Sequence, residues 1–186
     1  TDRSRAAAIS VLKTIPAQHW AEKEVPGLAD NLIGYLSGIP ARFRTTGSAV
    51  EAVALAKSLA EKLPADRAKA LLDRLENLDV PVIAIGSVVE RMIYDKELIV
   101  VQAGRPVEFR FSNTDNMPHN FTVVVPGFMA EVGELAEATG RDADAAARHF
   151  IPKSDKILVA SKLVQPEQTD SIFFEVPKEL GIYPYV

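Results

Sequence analysis

Cysteine is absent from this sequence of 186 residues, and histidine, methionine and tryptophan number only three, three and one. Without cysteine, these residues offer no disulfide, no thiolate nucleophile and no cysteine-ligated metal site. Apolar runs fall short of the roughly 20 residues that a helix needs to cross a bilayer, so we expect no membrane span in this chain. Positive charge is not in excess either, because 21 Lys and Arg face 25 Asp and Glu. The net charge of -4 argues against binding to nucleic acid.

Apolar side chains are plentiful by contrast: 47% of the residues are hydrophobic and 25% are charged. This balance is typical of a folded globular chain with one good core or two small ones. Motifs that carry a known enzymatic mechanism are missing, since the sequence has no glycine-rich phosphate loop, no Ser-His-Asp arrangement and no HExxH pair. Nothing in the sequence therefore predicts an enzyme with a catalytic centre of its own.

The first part of the sequence, residues 1–79, is rich in Ala and Leu at helical spacing and is predicted to be a helical domain. We expect helices over about 4–15, over 17–38 in two pieces around Pro26-Gly27, from 46 or 48 to 63, and from Pro64 onward. In the third of these helices, one face is predicted to carry Val50, Val53, Ala54, Leu55 and Leu59. The segment is predicted to be a small helical bundle or a piece of a helical repeat.

The remainder, residues 80–186, is rich in Val, Ile and Phe and punctuated by Pro and Gly. Alternation in Val107, Phe109 and Phe111 against Glu108 and Arg110 predicts a sheet with one solvent-facing side. Strands are expected at 80–85, 96–101, 107–111, 119–125, 157–164 and 171–176, with a helical excursion of about twenty residues ending at 149–150. This pattern favours an antiparallel β-sandwich of Greek-key type, and the predicted fold class of the whole chain is α+β.

One histidine stands out because a polar turn, residues 113–118, delivers it to the start of an apolar strand. His119 precedes Phe121-Thr122-Val123-Val124-Val125, and imidazole is a preferred ligand of copper and zinc. A ligand carried by a strand is also held rigidly. The plainer alternative is an ordinary histidine at the edge of a sandwich, bonded to a carbonyl of the turn.

The other candidate ligands have simpler explanations. His149 ends the helical excursion, where a cation suits a helix C-terminus, and His19 lies beside Trp20, where packing is expected. Met117 is too close to His119 along the turn for both side chains to converge readily on one ion. The acidic residues of the excursion recur every three positions, which indicates a solvated helix face.

Five segments in order resemble the cupredoxin family, which includes azurin, plastocyanin and auracyanin. They are Val-Gln-Ala-Gly-Arg-Pro-Val-Glu-Phe at 101–109, Asn-x-Asp-x-Met-Pro-His-Asn at 113–120, Val-Pro-Gly at 125–127, Gln-Pro-Glu at 165–167 and Gly-Ile-Tyr-Pro-Tyr-Val at 181–186. The resemblance covers about residues 95–186. It implies that His119 is the first copper ligand. It also implies that Asn120 supports the copper thiolate through its backbone N–H, while its side chain ties two ligand loops together.

In that family the tyrosine-bearing strand runs directly into a Cys, and a short loop then supplies a second His and a Met. The resemblance places the expected Cys just after Val186, so the domain at 80–186 is expected to be incomplete at its C-terminus. One imidazole does not make a blue-copper site, and we expect no tightly held copper on these residues alone. An incomplete sandwich also leaves an open sheet edge, where we expect a dimer, a swapped strand or further residues.

The function that the resemblance implies is electron transfer through type 1 copper in the complete protein, with copper as cofactor and a redox partner protein or domain such as cytochrome c. It implies a periplasmic or otherwise extracytoplasmic location. Helices joined to a cupredoxin end also resemble the C-terminal part of large membrane-bound dehydrogenases, so the chain would be an electron carrier within a larger oxidoreductase. Two alternatives stay open: a metal-free β-sandwich module that binds a protein partner, and a copper enzyme, which would need further histidines on separate strands.

Overall fold

A computed structural model describes residues 2–16 and 19–186 of the chain, with the side chains of residues 4–16 and 19–186. Helices come first and strands follow, and the chain divides into two units, Thr1–Pro81 and Val82–Val186. The predicted α+β fold class is confirmed. The assignment of 1–79 and 80–186 as folding domains remains a prediction.

The first unit contains four α-helices in its described part: α1 Asp2–Leu12, α2 Val25–Gly38, α3 Gly47–Ala60 and α4 Ala65–Leu78. The two predicted pieces are a 3-10 helix, Glu22–Glu24, and α2, but they meet at Val25, so Pro26 lies in the first turn of α2 and not between the pieces. The first turn of a helix has no internal acceptor for its N–H groups, so a proline there removes no hydrogen bond. The start of that predicted segment, at residues 17 and 18, lies outside the described residues.

The core of the helical unit is aliphatic and closely packed. Its buried side chains include Leu32, Ile33 and Leu36 of α2, Leu55 and Leu59 of α3, and Leu71 and Leu75 of α4.

The predicted face of α3 is partly wrong, since Val50 is 49% exposed and Ala54 is also exposed. The buried face instead carries Ala49, Ala52, Ala56 and Ala60 beside the two leucines. Small side chains let neighbouring helices approach closely, and hydrophobicity alone does not indicate this.

The second unit has six strands in two sheets: β1 Val82–Val88, β2 Ile93–Tyr94, β3 Pro106–Ser112, β4 Thr122–Val124, β5 Ile157–Ala160 and β6 Thr169–Glu175. One sheet has the order β2-β1-β3-β6, and β4 pairs with β5 in the other. Between β4 and β5 the chain forms α5, Met129–Thr139, and a short 3-10 helix, Ala146–Arg148. This is the predicted helical insertion.

The expectation of a purely antiparallel sandwich is wrong for one pair of strands. β1 runs parallel to β3, with Val82 opposite Glu108 and Ile85 opposite Phe111. Parallel neighbours need a long connection that returns the chain to its starting end. Here β2 and the segment 95–105 provide that connection, so the sheet is mixed.

Residues 96–101, which were predicted to be a strand, do not pair with any strand of either sheet. This segment has an alternating pattern, with Leu98 and Val100 73% and 85% exposed, whereas Ile99 and Val101 pack against the core. Alternation therefore predicted its faces correctly. It forms no strand because no neighbouring segment among the described residues pairs with its backbone.

The core between the two sheets is aromatic. Phe121 contacts Phe109, Phe111, Tyr94 and Tyr185, with ring centroids 5.4–6.2 Å apart. Phe111 and Phe121 are fully buried. This cluster joins β2 and β3 to Phe121, which directly precedes β4 and follows His119 by two residues.

Glu108 departs from the predicted solvent-facing side of β3. It is only 6% exposed, and its Oε1 accepts hydrogen bonds from Arg110 and from the hydroxyl of Ser171, each at 3.0 Å. A buried carboxylate is tolerated where charged and polar donors satisfy it.

The last residues of the chain add to the smaller sheet. Thr122 and Val186 exchange two backbone hydrogen bonds of 2.7 and 2.9 Å, and the Val124 N–H donates to the carbonyl of Pro184 at 2.8 Å. Val123 lies opposite Tyr185 in antiparallel register. Within residues 2–16 and 19–186, none of the helices combines the length and the apolar character that a membrane crossing requires.

Candidate metal centre

The turn that presents His119 is built around Asn113, which directly follows β3 and is 1% exposed. Its side-chain oxygen accepts from the Ser87 hydroxyl and from the Asp115 N–H, both at 2.9 Å. Its amide donates to the carbonyls of Met117 at 2.7 Å and of Val164 at 2.9 Å. The bond to the N–H two residues on is the local pattern that makes Asn favourable in turns. One buried side chain thus fixes both ends of the turn.

The backbone of His119 is fixed by a second set of bonds. His119 and Val164 exchange backbone hydrogen bonds of 3.0 and 2.7 Å and form an isolated antiparallel bridge. The regular strand β4 begins at Thr122, three residues later than the predicted strand start. The histidine therefore lies at the entrance of the strand, held on both sides.

The imidazole of His119 is paired with a carboxylate. Its Nε2 lies 2.9 Å from Oδ2 of Asp115, and the two side chains are only 13% and 2% exposed. Oδ1 of the same carboxylate accepts from the backbone N–H groups of Asn116 at 2.7 Å and Glu90 at 3.1 Å. The plainer alternative, a histidine bonded to a turn carbonyl, does not match this geometry.

The pKa of Asp115 is lowered from its ordinary value, first by the hydrogen bond from His119 and then by the bonds from Glu90 and Asn116. Donors that favour the charged form of a carboxyl lower its pKa. Asp115 is therefore an anionic acceptor, and this arrangement makes Nε2 of His119 the donor. In a neutral ring Nδ1 then carries the lone pair, and no described residue hydrogen-bonds to it.

Asn120 follows His119 and is held on both sides. Its side-chain amide donates to the backbone carbonyl of His149 at 2.9 Å. Its own carbonyl accepts from the Tyr94 hydroxyl at 2.8 Å, and burial of that phenol raises the pKa of Tyr94. In this structure the side chain of Asn120 thus joins the turn to the end of the helical excursion. Its predicted contact with a thiolate stays a prediction.

His119 lines a cavity of about 1270 Å³ in the second unit, together with Pro118, Ile182, Tyr183 and Val186 among others. A ligating histidine commonly donates its other ring N–H to a carboxylate, which fixes the ring and makes the ligating nitrogen more basic. His119 has this carboxylate partner, a bare Nδ1 and space beside it. These residues fit one ligand of a transition metal site.

The remaining candidates do not join His119. Within the described residues, no group of three or more His, Asp or Glu side chains is arranged to hold a metal ion. His149 follows the 3-10 helix with a left-handed backbone, φ 54°, and it meets the turn only through its carbonyl and Asn120.

Sequence reasoning missed Asp115 as a partner of His119. The only available signal was a carboxylate four residues before a histidine in a polar turn, and that pattern equally indicates an ordinary turn residue.

The comparisons with known proteins concern more than half of the chain. No protein-family model matches it. Auracyanin-A of Chloroflexus aurantiacus is 32% identical over 104 residues, which are 56% of this chain and 63% of that protein, so the chain spans less than two thirds of this curated relative.

Two solved structures are similar as well. Reduced auracyanin of Roseiflexus castenholzii is 29% identical with a TM-score of 0.50, over 56% of this chain and 82% of that one. The structure of auracyanin A, described as a "blue" copper protein of Chloroflexus aurantiacus, is 30% identical with a TM-score of 0.52, over 58% of this chain and 86% of that one. Sequence and fold agree with the predicted resemblance, and the chain belongs to the cupredoxin family.

Proposed function

We propose that this cupredoxin transfers electrons through a type 1 copper centre and that His119 is one of the copper ligands. The observation that carries the proposal is the ring of His119: its Nε2 is hydrogen-bonded to a buried carboxylate, its Nδ1 has no hydrogen-bond partner among the described residues, and the residue lines a cavity. Similarity to a "blue" copper protein supports the identity of the metal. Imidazole is suited to copper in either oxidation state that electron transfer requires.

The register of the C-terminal strand supports the placement of a second ligand. Val123 lies opposite Tyr185 and Thr122 opposite Val186, so a residue that continued this strand would lie opposite Phe121. Side chains alternate along a strand, and such a residue would share a sheet face with His119 as its diagonal neighbour. Diagonal Cβ atoms lie about 7 Å apart, a separation that one metal ion with an imidazole and a thiolate ligand can bridge.

The proposal requires ligands that residues 1–186 do not supply: a thiolate, a second imidazole and a methionine thioether. Copper in such a set gives one-electron chemistry with little change of geometry. The residues of this chain hold the first ligand still, through the bridge to Val164 and the bond to Asp115. We propose Asn120 as the residue beside the ligand that supports the thiolate. The unit carries an electron and transforms no substrate.

We further propose that the electron comes from or goes to a protein partner such as a cytochrome c domain, in a periplasmic or otherwise extracytoplasmic compartment. Membership of the cupredoxin family supports an electron carrier rather than an enzyme. The place of this carrier within a larger oxidoreductase, with 1–79 and 80–186 as its domains, is part of the same proposal. Pairing at the open sheet edge, as a dimer or a swapped strand, is a further part. Similarity to a blue copper protein does not favour the metal-free interaction module.

The test is to read the gene past the codon for Val186, express the protein with that continuation and titrate it with Cu(II). A type 1 site gives intense thiolate-to-copper absorption at about 600 nm. The His119→Ala variant is expected to lose this absorption, and the matched His149→Ala variant is expected to keep it. A continuation without a cysteine, or full absorption in H119A, would contradict the proposal.

A further inference from the structure

The carboxylate of Asp115 lies where it controls which nitrogen of His119 carries the ring proton. Its side chain is 2% exposed, and Oδ2 lies 2.9 Å from Nε2 of His119. A hydrogen bond in an interior of low dielectric is electrostatically stronger than one in water. An anionic acceptor at this distance therefore strongly favours the tautomer with the proton on Nε2.

The carboxylate is held in this orientation because its other oxygen, Oδ1, accepts two backbone hydrogen bonds. Oδ1 accepts from Asn116 at 2.7 Å and from Glu90 at 3.1 Å. The Asp115 N–H donates to the side-chain oxygen of Asn113, which also accepts from Ser87 of β1. A continuous set of hydrogen bonds thus runs from the larger sheet through the turn to the imidazole.

We propose that Asp115 is a positioning residue that fixes the Nε2–H tautomer of His119, so that Nδ1 is the nitrogen presented to a metal ion. Its consequence at the metal rests on the proposed function, but the tautomer needs no metal. Metal ligands held in this way lose roughly 10–100-fold in affinity when the supporting partner is removed. Asp115 is not itself proposed as a metal ligand; it acts through its hydrogen bond with His119.

The two hydrogen bonds at Oδ1 make one substitution especially informative. In Asp115→Asn, the single amide oxygen is expected to stay on the N–H groups of Asn116 and Glu90, which leaves the NH2 group facing Nε2 of His119. Nε2 must then accept, and the ring proton moves to Nδ1 by exchange with solvent. The nearly isosteric variant therefore inverts the tautomer, whereas Asp115→Ala leaves both tautomers populated.

The experiment uses residues 1–186 with 15N-labelled histidine and long-range 1H–15N correlation spectra at pH about 8, where an ordinary imidazole with a pKa of about 6.5 is neutral. We expect Nε2–H for His119 in the wild type, Nδ1–H in D115N and a mixture in D115A. The control is Asp170→Asn, since Asp170 also accepts a backbone N–H, from Lys162 at 3.0 Å, and D170N should leave the His119 signals unchanged.

A wild-type His119 that is Nδ1–H, an imidazolium at pH 8 or an even mixture of tautomers would overturn the inference. So would an unchanged Nε2–H tautomer in both D115N and D115A. If D115N fails to fold, the wild-type spectrum and its comparison with that of D115A still test whether Asp115 fixes the tautomer of His119. A fixed Nε2–H tautomer in a protein that never develops thiolate-to-copper absorption would refute the proposed function and leave the role of Asp115 intact.

Discussion

The two units of this chain differ in the polarity of the side chains that they bury. The helical unit has a core of Leu, Ile, Val and Ala, and none of its described residues with a polar or charged side chain is buried. All seven buried polar or charged residues of the described chain lie in the second unit: Ser87, Glu108, Asn113, Asp115, Thr122, Thr139 and Ser161. Burying polar groups is unfavourable unless each finds a partner.

Three of those seven, Ser87, Asn113 and Asp115, form the hydrogen-bonded set that ends at His119. The helical unit can satisfy its backbone within its helices and needs only a close-packed interior. The sandwich must also hold an irregular turn in one conformation, and it does so with side-chain hydrogen bonds. In the second unit, these three buried polar side chains therefore hold the turn that carries His119.

The largest effect is expected from the aromatic core of the sandwich. Phe121→Ala removes a fully buried ring that contacts four other aromatic rings and should lower the free energy of unfolding by about 3–5 kcal/mol. Urea unfolding followed by near-ultraviolet circular dichroism measures this. The control is Leu180→Ala, because Leu180 is 91% exposed. Equal effects of F121A and L180A would show that this cluster is not the core of the unit.

Asn113→Ala tests whether the polar set of the sandwich contributes to stability. It removes the side-chain oxygen that accepts from the Asp115 N–H and from the Ser87 hydroxyl, and each buried donor left unsatisfied costs about 1–3 kcal/mol. We expect a loss of about 2–3 kcal/mol in the same urea assay. Asn116→Ala changes an exposed side chain of the same turn and should stay within about 0.5 kcal/mol. If the two variants are equal, the contrast between the units has no energetic basis.

Ala52→Leu makes the corresponding test of the helical unit. Ala52 is fully buried on α3, so the larger side chain should overpack the interface and lower the free energy of unfolding by about 1–3 kcal/mol. Val50→Leu, two residues earlier on the exposed face, should have almost no effect. The measurement is urea unfolding followed by the fluorescence of Trp20, the only tryptophan of the sequence. A larger effect of V50L than of A52L would indicate that Val50 lies on the buried face of α3, as the sequence predicted.

The smallest effect concerns pH and the ion pairs of the excursion. Hydrogen bonds from Arg148 and then Lys153 lower the pKa of Asp144 to about 2. A carboxyl with a lowered folded-state pKa stabilises the protein above its unfolded-state value of about 3.9, and this contribution disappears as the pH falls toward 2. Asp144→Asn should therefore flatten the acid side of a stability profile between about pH 4 and 2.

The control for that profile is Asp155→Asn. Asp155 also pairs with a lysine, Lys156, but its side chain is 85% exposed, and exposed pairs contribute little. A profile for D144N that matches the wild type would mean that the Arg148 pair does not persist in solution.

The sequence predicts the parts of this structure in which apolar residues recur at regular spacing. The four helices follow from apolar spacing, and the alternating residues of β3 predict its buried side correctly at Val107, Phe109 and Phe111. Glu108 breaks the pattern because its partners, Arg110 and Ser171, lie on its own and a neighbouring strand. Side-chain size misled the prediction for α3, because alanine scores below valine in hydrophobicity but fits a close helix contact.

Features that do not depend on a regular spacing of apolar residues were not predictable in the same way. The parallel pairing of β1 with β3 depends on where the connection between them turns, and no local pattern records this. The polar turn and the family resemblance both singled out His119, and the matched segment included Asp115 but assigned it no role. That pair depends on the backbone of His119, which Val164 holds, and on the turn fixed by Asn113, and both depend on tertiary contacts.

The hydroxyl of Tyr94 lies between the aromatic core and the carbonyl of Asn120. Its burial raises the pKa of Tyr94 well above that of a free phenol. Among the four tyrosines of the sequence, this one should be deprotonated late in an alkaline ultraviolet titration. Tyr185 shares this delay because burial raises its pKa too, and early ionisation of Tyr94 would report that the loop that holds His119 has separated from the aromatic core.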